Sequence, residues 1–169
     1  NLDSRTQGFI VSKNTPGLII ADEREKLMGI NALPLYRVKL DNVVLPASNR
    51  LGGASGHDFE LILASMRIAS ASAAVGVARA SFEYAMNYAK EREAFGVKIA
   101  QKQAIAFMLA EMATEIEAIR LLTWEAAWML DNGKDDAVKQ SYLAATSAAD
   151  MVMMVTDRGV QILGGHGYI

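Results

Sequence analysis

From about residue 58 onward, apolar positions in this chain recur at three- and four-residue steps, the spacing of one face of an α-helix. The first such pattern runs from about Asp58 to Glu91 and carries Leu61, Ala64, Ile68, Ala71, Val75 and Ala78. The second runs from about Ala100 to Asn132, with Ile105, Met108, Met112, Ile116, Ile119 and Leu122 on its stripe. Asn132-Gly133 predicts its stop, because glycine accepts the left-handed backbone that closes a helix. The third begins near Asp135-Asp136, whose carboxylates suit a helix N-terminus. It continues through Val138, Tyr142, Ala145, Ala149, Val152 and Val160 to Gly164-Gly165. At a rise of 1.5 Å per residue each helix is roughly 45 Å long. Three such helices joined by short loops make most of an up-and-down bundle. Heptads are not strictly kept, so a globular bundle is expected and not a coiled coil. Trp124 and Trp128, four residues apart, read as a packing ridge.

Before residue 50 the pattern changes. Gly8-Phe9-Ile10-Val11 and Leu18-Ile19-Ile20 are short apolar runs separated by the turn residues Thr15-Pro16-Gly17. Tyr36-Arg37-Val38-Lys39-Leu40 alternates, and Val43-Val44-Leu45-Pro46 closes the stretch. Period two, β-branched residues and Pro/Gly/Asn punctuation predict four short strands. Four short strands make a poor independent sheet, so their partners are expected elsewhere in the protein. Leu51-Gly52-Gly53-Ala54-Ser55-Gly56 lacks the Lys-Ser/Thr of a phosphate loop and reads as a plain linker. The fold class is therefore α+β: the end of a β-sheet domain over residues 1–52, then a bundle of long helices over 53–169.

Composition narrows the function classes. A net charge of −2 over 169 residues argues against a nucleic-acid surface. The absence of cysteine excludes a disulfide framework and a thiolate metal site. His57 and His166 are too far apart in sequence for a ligand spacing, so no metal site is expected. Arg67, Arg79, Glu111, Glu115, Asp150 and Asp157 interrupt the apolar stretches, and no membrane span is expected. The start at Asn1-Leu2-Asp3-Ser4-Arg5 reads as an interior piece of a larger protein.

Two motifs remain that packing does not explain. Arg92-Glu93-Ala94-Phe95-Gly96, followed by Gln103, lies where the first helical pattern breaks. Gln161-Ile162-Leu163-Gly164-Gly165-His166-Gly167-Tyr168 lies where the third breaks. A helix turn with Phe95 as staple and Gly96 as cap accounts for part of the first motif. A double-glycine stop accounts for Gly164 in the second. Neither accounts for Arg92 together with Gln161. Arginine, glutamine and clustered glycine at helix ends suit an extended, phosphate-bearing ligand, through a charged fork, an amide and accessible backbone N–H groups. His166 is assigned no chemical role.

Together and in this order, the two motifs resemble those of the acyl-CoA dehydrogenase family of flavoproteins, and the resemblance runs from about Gly8 to Ile169. It implies FAD as cofactor, contacted by Arg92, Phe95 and Gln103 from a neighbouring subunit and by Gln161, Gly164 and Gly165. It implies that Arg67, near the start of the first helix, helps hold the CoA moiety. The aspartate that commonly precedes that arginine by three residues is replaced here by Ala64. The implied reaction is α,β-dehydrogenation of an acyl-CoA thioester, with electrons passed to an electron-transfer flavoprotein. A homo-oligomer, dimer or tetramer, is implied as well.

The usual catalytic glutamate of the family would lie beyond Ile169. A minority of relatives carry the base immediately before the arginine of the first helix, where this chain has Met66, and Glu60 is nearly two turns away. No catalytic residue is therefore assigned. An acyl-CoA oxidase or flavin monooxygenase of the same fold is the enzymatic alternative, and a helical assembly domain the non-enzymatic one. The family implies a cytoplasmic protein in a bacterium and a mitochondrial matrix protein in a eukaryote.

Overall fold

A computed structural model describes residues 6–29 and 32–169. By internal contacts the chain divides into two compact units, Asn1–Phe59 and Glu60–Ile169.

In the first unit, strand β1 (Leu18–Arg24) pairs antiparallel with β2 (Tyr36–Leu40), in a register that places Leu18 opposite Leu40 and Ile20 opposite Val38. The register shifts between Ile20 and Arg24. Two of the four expected strands are not formed. Around Gly8–Val11 the ladder is a single bridge, Phe9 opposite Arg50, flanked by Ile10 N donating to Asn49 O and Leu51 N to Gly8 O. Val43–Pro46 is irregular and leads into a 310 turn at Ala47–Asn49. The reasons are local: Asn42 has a positive φ of 49°, which ends the extended backbone, and Pro46 has no N–H to donate. The glycine-rich linker is ordered. A second 310 turn covers Gly53–Ser55, and Arg50 ties it down by donating to Gln7 Oε1 (Nε 3.0 Å, Nη2 2.7 Å) and to Ala54 O.

The second unit contains α1 (Phe59–Glu91), a short hairpin β3 (Glu93–Ala94) and β4 (Val97–Lys98), α2 (Gln103–Asp131), α3 (Ala137–Leu163) and a final short turn α4 (Gly165–Tyr168). The three long helices fall where the periodicity puts them. Ala64, Ala71, Ala78 and Ala85, seven residues apart, are all buried on α1 and continue to Ala89. Seven residues are nearly two turns, so these methyl groups form one line along the helix. With no side chain beyond Cβ, they let α1 lie close to the rest of the core, which includes Met112, Ile116, Ile119, Met151 and Val155. α3 comes close to α1 at Gly159, where an added Cβ would sit 2.4 Å from Ser81 Oγ of α1.

The buried face of α3 departs from the expected one. The stripe through Tyr142, Ala145, Ala149 and Val160 is not the buried one. Ser141, Ala144, Ala148, Met151, Val155, Gly159 and Ile162 are buried instead, a face turned back by about one residue. Tyr142 and Val160 are half exposed. Small side chains, Ser141, Ala144, Ala148 and Gly159, share this face with the larger Met151, Val155 and Ile162, so close packing decides it together with hydrophobicity. Buried Ser141 keeps its hydroxyl satisfied by donating to Val138 O at 2.6 Å.

The helix ends follow backbone rules. Gly133, at φ 57°, closes α2: its N–H donates to Leu130 O and that of Lys134 to Met129 O, the paired bonds of a Schellman stop. At the start of α3, Asp136 occupies the N-cap, but its side chain makes no capping hydrogen bond, contrary to the expected role of the Asp135-Asp136 pair. Its carboxylate acts there only as a charge near the helix N-terminus. The tryptophans also depart from expectation: Trp124 and Trp128 are 60% and 56% exposed, so they form no packed ridge among the described residues. Each carries a cation over its ring, Arg120 at 5.2 Å and Lys134 at 5.3 Å.

Among the described residues one helix, α1, is long and apolar enough to cross a membrane by length and composition. Arg67 and Arg79 do not break it up as expected, because so few charges in so long an apolar helix leave its mean hydropathy high. Its buried alanine line nonetheless packs as a bundle helix.

Candidate functional site

The chain between α1 and α2 does not turn directly from helix to helix. Arg92 N still donates to Tyr88 O, as in a helix, while Arg92 O already accepts from Ile99 N across the hairpin. Glu93 then pairs with Lys98 and Ala94 with Val97. Phe95 (φ 57°) and Gly96 (φ 78°) form the two-residue tip. Two successive left-handed residues are the tip that matches the twist of a tight hairpin. Glycine adopts this conformation freely, whereas a bulky phenylalanine is strained in it. Gly96 is thus a hairpin residue and not a helix cap. Phe95 is 96% exposed and staples nothing within the described residues. Lys102 lies 5.5 Å from its ring centroid.

Lys98 braces the hairpin. Its ammonium lies 2.7 Å from Glu93 Oε1 and donates to Glu91 O at 3.0 Å. The hydrogen bond and charge of Lys98 hold the Glu93 carboxyl below its ordinary pKa.

The end of α3 comes to the same place. A cleft of about 450 Å³ is lined by Tyr88 and Arg92 from α1, Ile99, and Ile162, Leu163, Gly164, Gly165, His166 and Ile169. Of the residues singled out in the sequence, the structure therefore brings Arg92, Gly164 and Gly165 together. Gly164 has a positive φ of 58°, and a Cβ at Gly164 or Gly165 would meet no atom within 4 Å, so the backbone there is open to a ligand. The Arg92 side chain is exposed and has no hydrogen-bond or ion-pair partner among the described residues. Phe95, Gln103 and Gln161 do not line this cleft. Gln103 is the exposed first residue of α2, and Gln161 is exposed on the last turn of α3.

Tyr88 and His166 were not picked out from the sequence as site residues. Their rings meet edge to face with centroids 5.8 Å apart, inside the cleft. Tyr88 lies one turn before Arg92 on the same helix face, a spacing that could have marked it.

Arg67 stands apart from this cleft. Its Nη2 donates to the Tyr142 hydroxyl at 2.6 Å and lies 3.5 Å from Glu60 Oε2, and its Cζ sits 3.6 Å from the Tyr142 ring centroid. Met66 beside it is 61% exposed. A further cleft of about 500 Å³ opens between α1 and α2, lined by Val75, Gly76, Phe82, Ile116 and Trp124 among others, and contains none of the predicted site residues. Its rim holds two ion pairs, Arg79 with Glu83 and Arg120 with Glu117; the hydrogen bond that Arg79 donates to Glu83 raises the Arg79 pKa. No group of three or more potential metal ligands occurs among the described residues.

Comparison with known proteins places this bundle of long helices in the acyl-CoA dehydrogenase family. The sequence model of that family, described as acyl-CoA dehydrogenase, C-terminal domain, matches residues 59–169, and the chain belongs to it. It is 40% identical over 164 residues to cyclohex-1-ene-1-carbonyl-CoA dehydrogenase of Syntrophus aciditrophicus, covering 95% of this chain and 39% of that protein. To the mitochondrial short-chain specific acyl-CoA dehydrogenase of Sus scrofa it is 37% identical, with the same coverage. The structure of butyryl-CoA dehydrogenase from Megasphaera elsdenii superposes with a TM-score of 0.85 at 32% identity, over 96% of this chain and 43% of that one. The chain thus spans about two fifths of the length of the relatives it matches.

Proposed function

We propose that the complete enzyme to which this chain contributes is an FAD-dependent acyl-CoA dehydrogenase that introduces an α,β double bond into an acyl-CoA thioester. Electrons then pass to an electron-transfer flavoprotein. The observation that carries this reading is the unpartnered Arg92 guanidinium sharing one cleft with the open backbone of Gly164 and Gly165. These residues fit a dinucleotide: a charge-assisted fork for phosphate oxygens, and N–H groups that no side chain shields. Bound FAD supplies the hydride acceptor for the β-carbon.

The chain's own residues bind and orient. Arg92 neutralises the pyrophosphate, Phe95 offers an exposed aromatic face, and Gln103 and Gln161 supply amides at the starts and ends of helices. Arg67 contributes a cation toward the CoA moiety. Met66 has no basic group and Glu60 is already paired with Arg67, so no residue of this chain is assigned as the base that removes the α-proton. Phe95 projecting from its hairpin, together with the exposed Phe107, Leu121, Trp124 and Trp128 on α2, supports a homo-oligomer, dimer or tetramer, in which one subunit completes the flavin site of another.

The test is Arg92→Ala in the full-length protein. Loss of a charge-assisted contact of about 1.5–3 kcal/mol weakens flavin binding roughly ten- to hundredfold. The purified variant is expected to lose its absorbance near 450 nm while circular dichroism stays helical. Arg92→Lys restores part of the loss, since lysine keeps the charge without the fork. Flavin content equal to wild type at micromolar protein would overturn the cofactor assignment at this cleft.

A further inference from the structure

We propose that Tyr142 of α3 is a positioning residue for substrate binding: it holds the Arg67 guanidinium of α1 in one orientation toward the acyl-CoA. The inference deepens the reading of Arg67 given above and rests on it.

An arginine on an exposed helix face has four side-chain torsions and sweeps a wide volume. Arg67 is restrained in two directions at once. Its Cζ lies over the Tyr142 ring, 3.6 Å from the centroid, an attraction between cation and ring quadrupole that strengthens as water is removed. The second restraint is the 2.6 Å hydrogen bond that Nη2 donates to the phenolic oxygen. The side chain is left only 18% exposed.

This is not a closed structural ion pair. Glu60 lies 3.5 Å away with its own side chain 53% exposed, so its compensation of the charge is weak. Nη1 is enclosed and has no hydrogen-bond partner among the described residues. A cation shielded from water, weakly compensated and mechanically fixed keeps a field that solvent screens little. That is what recognition of an anionic or carbonyl oxygen requires, and preorganising the group removes the cost of ordering it when the ligand arrives. Tyr142 is 75 residues away on another helix, and its outward face is what makes the contact possible. Had α3 buried Tyr142 as its apolar stripe suggests, Arg67 would have no partner ring.

The experiment uses the full-length, flavin-loaded enzyme with butyryl-CoA for steady-state kinetics and but-2-enoyl-CoA for equilibrium binding by calorimetry. Tyr142→Leu is expected to raise KM and Kd about tenfold, equivalent to about 1.4 kcal/mol, with kcat changed less than twofold and flavin content unchanged. Tyr142→Phe, which keeps the ring face, raises both by about threefold. Arg67→Ala raises both by at least as much as Tyr142→Leu, and adding Tyr142→Leu to Arg67→Ala produces no further rise. A purely structural tyrosine would instead lower the thermal midpoint equally in both backgrounds. If Arg67→Ala raises both constants while Tyr142→Leu and Tyr142→Phe leave them at wild type, or if the two effects add in the double variant, the positioning role is wrong and the Arg67 assignment stands. If Arg67→Ala itself changes neither constant, the CoA assignment fails and takes this inference with it. Should Tyr142→Leu fail to fold, Tyr142→Phe and the Arg67 variants decide the outcome.

Discussion

Met112 in α2 and Val38 in β2 both occupy patterned apolar positions, yet Met112 is fully enclosed and Val38 is 58% exposed. The same contrast holds between their surroundings. Ala64, Ala71, Ala78, Met112 and Val155 close a core within the helical unit, whereas Ile19, Ile20, Val38 and Leu40 leave both faces of the β ribbon open. The alanine line of α1 and the small residues of α3 let three long helices cover one another. A two-stranded ribbon has only one neighbour per strand and cannot enclose its own side chains. Pattern alone reports which residues want burial. Whether a segment achieves it depends on how many partners the architecture supplies.

Substitution at those two positions sharpens the contrast most. In the full-length protein, Met112→Ala is expected to cost about 2–5 kcal/mol in chemical denaturation, the lost transfer energy plus a cavity. Val38→Ala is expected to cost under about 0.5 kcal/mol if the ribbon stays open as seen here. A loss at Val38 matching that at Met112 would show that the open ribbon face is covered in the whole protein. A smaller effect belongs to the α2–α3 stop. Gly133→Ala forces a left-handed alanine and is expected to cost about 1 kcal/mol, with no change in flavin content, because Gly133 is remote in sequence from both ligand motifs. Equal stability of that variant would show that the Schellman bonds at this stop contribute little.

The smallest effect concerns the hairpin that displays Phe95. Glu93 has its folded-state pKa lowered, first by the hydrogen bond from Lys98 and then by its charge. A depressed carboxylate pKa gives stabilisation that is present above the unfolded value and is lost as pH falls through the folded one. The hairpin should therefore loosen only in the acid range. Lys98→Met should return the Glu93 titration, followed by NMR, to the ordinary carboxylate range. An unmoved titration midpoint would assign the shift to another group.

The helix spans were legible because their signals are local. Ala64, Ala71 and Ala78 lie on one helix face by spacing alone, and the Asn132-Gly133 stop requires only a left-handed backbone. That Arg92 and Gly164-Gly165 stand outside the packed core was legible too, since neither charge nor clustered glycine is needed for packing. Val43–Pro46 was misleading, because β-branched residues suggested a strand while Asn42 and Pro46 removed the geometry and the donor that a ladder needs. Phe95-Gly96 read as a helix cap, since a two-residue hairpin between helices leaves almost no periodic signal.

By itself, then, the sequence determined where the long helices run, where they stop, and which residue types wait at their ends, all through interactions within a few positions. Tertiary structure decided which side of α3 faces inward, because clearance between Gly159 and Ser81 is a property of two helices and not of one. It also decided that Arg92, Gly164 and Gly165 share a cleft, and that Tyr142 stands free to hold Arg67. Those outcomes depend on distances between segments about seventy residues apart, where no local pattern constrains the backbone and packing alone selects the partner.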